Sequence, residues 1–398
     1  MTPAVRIGAT GFGLIAVCYG FARFAFGLFL PQIRQDLAIS PALAGVISGG
    51  AFLAYCVAIV VSARLSERIG SRAVAVGAAA VAAAGMLGIA ASPSALCLAM
   101  FVVLAGTSTG LASPPMALAV AEAVAETRRN ATNTVINAGT SAGVALSGPV
   151  ALAMGQAWRT VFLLFAASAL VLALAAFVSL PGKAAKPPGA QRVGGRVTWD
   201  PNLLRLVGAS FLMGASSTAI WSFGGEIAAM RLDWATRGAG LLWIAIGAAG
   251  AFGAGAGWLI ARLGINVVHW LFLLVLAASL ASVGLSFTTP VLTLAGGALF
   301  GAAYVMLSGV YLVWGTSALP QRPATGLMIG FLTIAIGQTA GAPLFGFLLG
   351  RSSLEVTVLV FAGLGLAAGG FWFGRRDIAD DKDKPVVRVQ GGGRASCS

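Results

Sequence analysis

The sequence predicts an all-α polytopic membrane protein with twelve transmembrane helices in two pseudo-symmetric six-helix bundles, and three observations predict it. Hydrophobic residues make up 58% of the 398 and charged residues 9%, with a mean hydropathy of +0.92. That is more apolar surface than a soluble chain of this length can bury. The apolar runs are about 20 residues long, the length of a helix that crosses a bilayer, and lack the short alternating segments of a β-barrel. Finally, residues recur at an offset of 194: Leu65 with Leu259, Arg68 with Arg262, and Gly70 with Gly264.

The first six spans are read at 8–30, 43–63, 73–91, 95–120, 132–154 and 160–180. The second six are read at 203–224, 238–260, 267–288, 291–316, 326–349 and 354–374. The domain reading is a first half at 1–180, a basic Pro/Gly-rich cytoplasmic linker at 181–202, a second half at 203–374, and a charged tail at 375–398 expected to be disordered.

In chain order, the first span is the most informative. It is too long for a signal-peptide core and runs on into spans of the same kind, so it is read as uncleaved. Arg23 lies about fifteen residues into it, ~22 Å from its start at 1.5 Å per residue, inside the hydrocarbon. A charge there costs ~2.5–3.5 kcal/mol on insertion scales and must face a cavity or a partner. Tyr19 and Phe26 share its helical face. The pattern points to a guanidinium that engages a carboxylate or other anion. The structural alternative is an arginine that snorkels or bonds backbone carbonyls.

Between the second and third spans, Ala63–Arg72 reads A-R-L-S-E-R-I-G-S-R and gathers Arg64, Glu67, Arg68 and Arg72 in a chain where charge is scarce. In helix five, Asn133 and Asn137 bring amides into the membrane, Pro149 kinks the helix, and Gly139, Gly143 and Gly148 permit close approach. Gly337 and Pro343 repeat this joint in helix eleven, and Arg128 recurs as Arg322 in the matching loops. Trp221 in helix seven, Tyr304, Ser308, Tyr311 and Trp314 in helix ten, and Gln338 in helix eleven add polar or aromatic groups that either orient a ligand or hold helices together. Glu226 is read at the outer end of helix seven, as a proton-binding group or partner of Arg23, or as a loop acid beside Arg231 and Asp233. His269, at the start of helix nine, is read as a proton-relay candidate or an interfacial residue.

Several classes are excluded. The basic residues that give the formal charge of +13 lie in loops and tails beside apolar spans, which fits the positive-inside rule better than nucleic-acid binding. On the side opposite the N-terminus stand only Arg34, Arg159, Arg231, Arg237 and Arg351, so both termini are expected in the cytoplasm. Cys18, Cys56 and Cys97 lie in apolar runs and Cys397 in the tail, with neither a disulfide framework nor metal-ligand spacing. The glycine-rich run Gly250–Gly257 sits inside an apolar span and reads as helix packing rather than a nucleotide loop. No hydrolase or P-loop motif is present, so neither an enzyme, a cofactor nor ATP is expected.

On these motifs the chain resembles the major facilitator superfamily of transporters over Gly8–Gly374. The family loop G-x-L-x-D-R-x-G-R-R is represented by Ala63, Leu65, Glu67, Arg68, Gly70, Ser71 and Arg72, with Ala for Gly, Glu for Asp and Ser for Arg. The W-R before helix six stands as Trp158-Arg159, followed by Phe162. Of the antiporter motif G-x-x-x-G-P, Gly148-Pro149 remain while Val144 replaces the first Gly, and Val102 occupies the place of the helix-four arginine. Both departures weigh against drug/proton antiport. Helix one, Y-G-F-A-R-F-A-F-G-L-F-L-P, is similar to the YbfB/YjiJ-like bacterial branch.

The resemblance implies a monomeric secondary transporter that moves a small organic solute across the inner membrane by alternating access, with a proton as candidate coupling ion. The lean toward an organic anion rests on Arg23. Multidrug/proton antiport and a non-transporting receptor or scaffold are the alternatives. Glu67, Arg68, Gly70 and Arg72 would form a cytoplasmic latch. Because Arg262 and Gly264 recur without an acid, Ala261 standing in its place, the latch is expected in the first half only. Glu67→Gln is expected to shift the balance between inward and outward states, read from the labelling of cysteines at either face. Unchanged labelling would reduce the loop to a topology anchor.

Overall fold

The computed structural model describes residues 2–182, 199–232, 234 and 236–374. Most of the linker and all of the tail, with Asp233, lie outside them. Among the described residues there is no strand, and eleven helices are long and apolar enough to cross a membrane. They are α1 (Pro3–Leu37), α2 (Pro41–Ile69), α3 (Ser71–Ala91), α4 (Ala95–Ala123), α5 (Glu126–Met154), α6 (Trp158–Ser179), α7 (Pro201–Leu232), α8 (Gly238–Leu263), α9 (Ile265–Gly284), α10 (Pro290–Ala318) and α11 (Pro323–Leu349). A twelfth, shorter apolar helix, α12, follows at Leu354–Gly370.

Local chemistry fixes the helix starts. Ser40, Ser94, Thr289 and Ser353 each accept a hydrogen bond from the backbone N–H three residues on, capping α2, α4, α10 and α12. Pro41, Pro290 and Pro323 occupy first-turn positions, where no N–H is needed. Several helices overrun their apolar spans. α5 begins at Glu126 rather than 132, and α7 runs on to Leu232, so Glu226 lies inside a helix and not in a loop. No proline follows Phe223 to stop α7, and polar residues at its end find partners on neighbouring helices.

Two helices depart from α geometry where the chain crosses the middle of the bundle. Ala16–Phe24 of α1 is π-helical, and the Thr109 hydroxyl of α4 donates to the Cys18 carbonyl at 2.8 Å within that segment. In α8, Ala251–Gly255 tightens into a 3-10 turn.

The 194-residue repeat is visible in the packing. Gly20 and Gly143 let α1 and α5 meet backbone to backbone, and Gly214 and Gly337, each 194 residues later, do the same for α7 and α11. A Cβ on Gly143 would collide with the Ala16 carbonyl, and one on Gly337 with that of Phe211. Gly70 and Gly264, the turns between α2 and α3 and between α8 and α9, take the same left-sided backbone at φ 92° and 82°. Outward faces carry bare apolar side chains such as Leu96, Val171, Leu174 and Val291, as a surface facing lipid requires.

We call the end of the bundle bearing the N-terminus the terminal face and the opposite end the distal face. Close contacts between the first six helices and the last six fall in the distal half. Gly27 of α1 abuts the Trp221 carbonyl of α7, and Gly225 abuts Gly27 and Leu28 in return. Gly45 and Gly49 of α2 pack on Ala342, Pro343 and Thr339 of α11. Gly148 of α5 meets Gly240 of α8, and Gly247 meets Ala145. Gly143→Ala and Gly337→Ala should each destabilise by roughly 1–3 kcal/mol through overpacking. Gly77→Ala, whose Cβ meets nothing within 4 Å, should not. Melting temperatures in detergent compare them, and equal Tm values for all three would contradict the packing described.

Candidate functional site

Arg23 is 8% exposed, in the π-helical part of α1 between the two halves. Its Nη2 donates to Gln338 Oε1 at 2.6 Å, across from α11. The Gln338 amide nitrogen then donates to the Tyr304 hydroxyl at 3.2 Å and the Ser217 hydroxyl at 3.3 Å, tying α10 and α7 into the same group. Four aromatic rings surround the guanidinium: Phe52 and Tyr55 at 4.6 Å, Phe24 at 5.0 Å and Tyr19 at 5.9 Å from its carbon to the ring centres. Desolvated cation–π contacts of this kind contribute up to ~2 kcal/mol each. Trp221 stacks on Phe24 at 4.0 Å and meets Tyr304 edge-on at 5.2 Å. Tyr19 shares a hydrogen bond with Ser113 of α4 at 2.9 Å.

Arg23 has no carboxylate partner among the described residues. Glu226 pairs instead with Arg34, which also donates from Nε to the Ile39 carbonyl. The expectation that Glu226 could pair with Arg23 is therefore corrected. The continued α7 places the acid one and a half turns beyond Trp221, at the level of Arg34, where it ties α7 to the distal end of α1.

The cavity beside Arg23 is small, about 10 Å³, room for roughly one water. Phe26, Gly27, Ser48, Ala51, Phe52, Val102, Trp221 and Ser222 line it with Arg23. Val102, at the position matched to the helix-four arginine of antiporters, thus faces the arginine of helix one.

Of the other sequence candidates, Tyr19, Phe26, Trp221, Tyr304 and Gln338 join Arg23, and Tyr311 and Asn137 do not. Tyr311 lies about two turns along α10 from Tyr304, buried against α7 and α9. His269 is there too. It is buried rather than interfacial, with Nε2 3.0 Å from the Tyr311 hydroxyl and its ring edge-on to Trp314. Tyr311 and Trp314 of α10 pack on its ring. Asn137 is exposed on α5, one turn from Ser141, which packs against Gly250 of α8.

Among the gating candidates, Glu67 and Arg68 are exposed and make no hydrogen bond or ion pair among the described residues. Arg72 reaches back to the Leu180 carbonyl at 2.8 Å and joins α3 to the end of α6. Arg262 lies over Trp258 at 4.3 Å. Arg128 is exposed at the start of α5, and Arg322 precedes α11. Pro149 faces outward beside Gly148, whereas Pro343 presses its ring on Gly49. The sequence reading missed Phe52, Tyr55, Ser48, Ser217 and Ser222. An aromatic pair at i and i+3 on the glycine-bearing stripe of α2 was the available signal.

A family model described as Major Facilitator Superfamily matches residues 12–336. Among solved structures, the nucleoside transporter NupG is similar with a TM-score of 0.73 at 14% identity, covering 93% of this chain and 98% of that one. The xylose transporter XylE from E. coli, in an inward open conformation, gives 0.75 at 13%, covering 92% and 95%. A bacterial homolog of the human lysosomal transporter Spinster, inward-facing and unoccupied, gives 0.72 at 14%, covering 93% and 96%. At these identities the likeness is one of fold. No curated protein matches by sequence.

The Arg34–Glu226 pair and the glycine contacts around it join the two halves in the distal half of the bundle. Glu226→Gln and Arg34→Ala should therefore raise, severalfold, the rate at which an impermeant thiol reagent applied from the distal side labels Ala51→Cys in a cysteine-free background. Equal rates in wild type and both variants would show that the pair does not hold the gate.

Proposed function

The chain belongs to the major facilitator superfamily, and from that premise we propose that it carries a small organic anion across the inner membrane by alternating access about Arg23. The observation that carries this reading is a buried guanidinium between the halves whose hydrogen-bond partner is a neutral amide. A buried charge without a counter-charge is costly, so a solute that supplies one gains affinity from the same interaction that relieves the protein. Gln338, Tyr304 and Tyr19 offer the polar groups that orient the rest of the solute, and Trp221 and Phe24 offer a flat apolar wall.

With both termini in the cytoplasm, as the Lys/Arg distribution favours, the terminal face is the inner one and the structure represents an inward-facing or occluded state. Glu67 and Arg68, which have no partner among the described residues, fit a latch released at that stage. Pro149 and Pro343, beside the contacts of α5 with α8 and of α11 with α2, are the joints about which the halves rock. Glu226 is the coupling candidate that sits between the halves, whereas His269 is packed within the second half. The protein acts as a monomer on this reading, beside the YbfB/YjiJ-like branch. The near-filled cavity and Val102 argue for one solute class rather than for multidrug efflux.

Flux into proteoliposomes tests this. Labelled monocarboxylates should enter faster than into protein-free vesicles, and Arg23→Gln should cut that flux at least tenfold while leaving the melting temperature within a few degrees. Carboxylate flux that survives Arg23→Gln removes Arg23 from the site. A correctly inserted protein that moves no solute returns the scaffold reading.

A further inference from the structure

Four buried side-chain donors belong to residues that line the cavity beside Arg23 and have no hydrogen-bond partner among the described residues. They are Arg23 Nε from α1, the Ser48 hydroxyl from α2, the Trp221 indole Nε1 and the Ser222 hydroxyl from α7. None of the four residues is more than 8% exposed. Unsatisfied buried donors are uncommon, because each gives up its hydration without regaining a hydrogen bond. Four around one space form a pattern with a chemical meaning, because indole and guanidinium N–H groups only donate and hydroxyls can turn to do so.

The charge balance points the same way. The lining carries one positive group and no acid, with Phe26, Phe52, Ala51 and Val102 closing the remaining sides. A water could accept at most two of these hydrogen bonds and would leave the guanidinium uncompensated. A monovalent acceptor of about the size of a water can take all of them and neutralise the charge.

We infer that this cavity is a small-anion site, distinct from the Gln338 side of Arg23, that takes a halide or a single carboxylate oxygen of the transported solute. Two faces of the guanidinium then have separate tasks. Nη2 is held by Gln338 and fixes the orientation, while Nε turns toward the anion. The donors come from both halves, Arg23 and Ser48 from the first and Trp221 and Ser222 from the second. The site is therefore complete only when α1, α2 and α7 are closed together at the distal end, where Gly27 abuts the Trp221 carbonyl. Occupancy stabilises the distal-closed state by its differential affinity for the two arrangements. The inference rests on the transport reading only where the solute supplies the oxygen; a halide would bind whether or not the solute is an anion.

Thermal stability of the full chain in nanodiscs tests the site, with sodium sulfate, whose anion is too large for the cavity, replaced stepwise by chloride, bromide or acetate at constant ionic strength. A saturable, anion-selective rise in Tm of the wild type is expected. Ser48→Ala, Ser222→Ala and Trp221→Phe, which remove a donor each with little change of shape, should weaken the apparent affinity severalfold singly, and the Ser48→Ala/Ser222→Ala pair at least tenfold. Saturation by chloride, with acetate competing, assigns the site to an inorganic anion. Saturation by acetate alone assigns it to the carboxylate of the solute. Either supports the site. A rise that follows ionic strength irrespective of the anion, or one unchanged in the Ser48→Ala/Ser222→Ala pair, overturns it. Loss of this signal with Arg23-dependent carboxylate flux intact would sink the subsite alone, and loss of both would sink the transport reading as well.

Discussion

Arg23 carries a full positive charge into the apolar middle of the bundle, where desolvation costs several kcal/mol, and much of the surrounding structure is organised to keep it there. Gln338 reaches it from α11, Tyr304 and Ser217 hold Gln338, and aromatic rings from α1 and α2 present their faces. Removing any one of these supports shifts the burden to the others. The charge is thereby a mid-depth link between halves that elsewhere meet through close glycine contacts, the Arg34–Glu226 pair and the Phe24–Trp221 stack.

That division of labour explains how the interface can be tight and reversible. Backbone-to-backbone contacts at Gly27, Gly45 and Gly225 interlock no side chains, so little rotamer order is lost or regained when they part. Among the described residues, the polar links across the interface include Arg23–Gln338 at mid-depth and Arg34–Glu226 farther out. Two polar links on one helix, eleven residues apart, make α1 the element that both the core and the distal gate act upon.

Much of this was legible from the residues. A lone arginine in an apolar span has few places to be, and the 194-residue offset paired Gly143 with Gly337 and Gly70 with Gly264 before any packing was seen, though not Gly20 with Gly214. What could not be read came from a loss of contrast. In a helix apolar on every side, periodicity does not say which face looks inward, so only the glycines of the same stripe on α2 set Phe52 and Tyr55 apart from the leucines beside them. Helix ends failed for a related reason. The apolar run of α7 stops before its hydrogen bonds do, which placed Glu226 outside a helix that in fact continues, and its partner Arg34 was 192 residues away. Tyr304 and Tyr311 share a stripe on α10, but the helix passes from the interface into the core of the second half between them.

The π-helical stretch of α1 has a mechanical consequence. Each of its turns holds one more residue than the bond pattern of an α-helix admits. Relaxing a single such turn would rotate everything beyond it by about 100°, since an α-helix advances 3.6 residues per turn. Arg23 lies at the far end of the stretch, so α1 winds spare rotation beneath it like a torsion spring. The guanidinium could be swung between neighbours by rewinding one helix, with no need to drag a whole bundle.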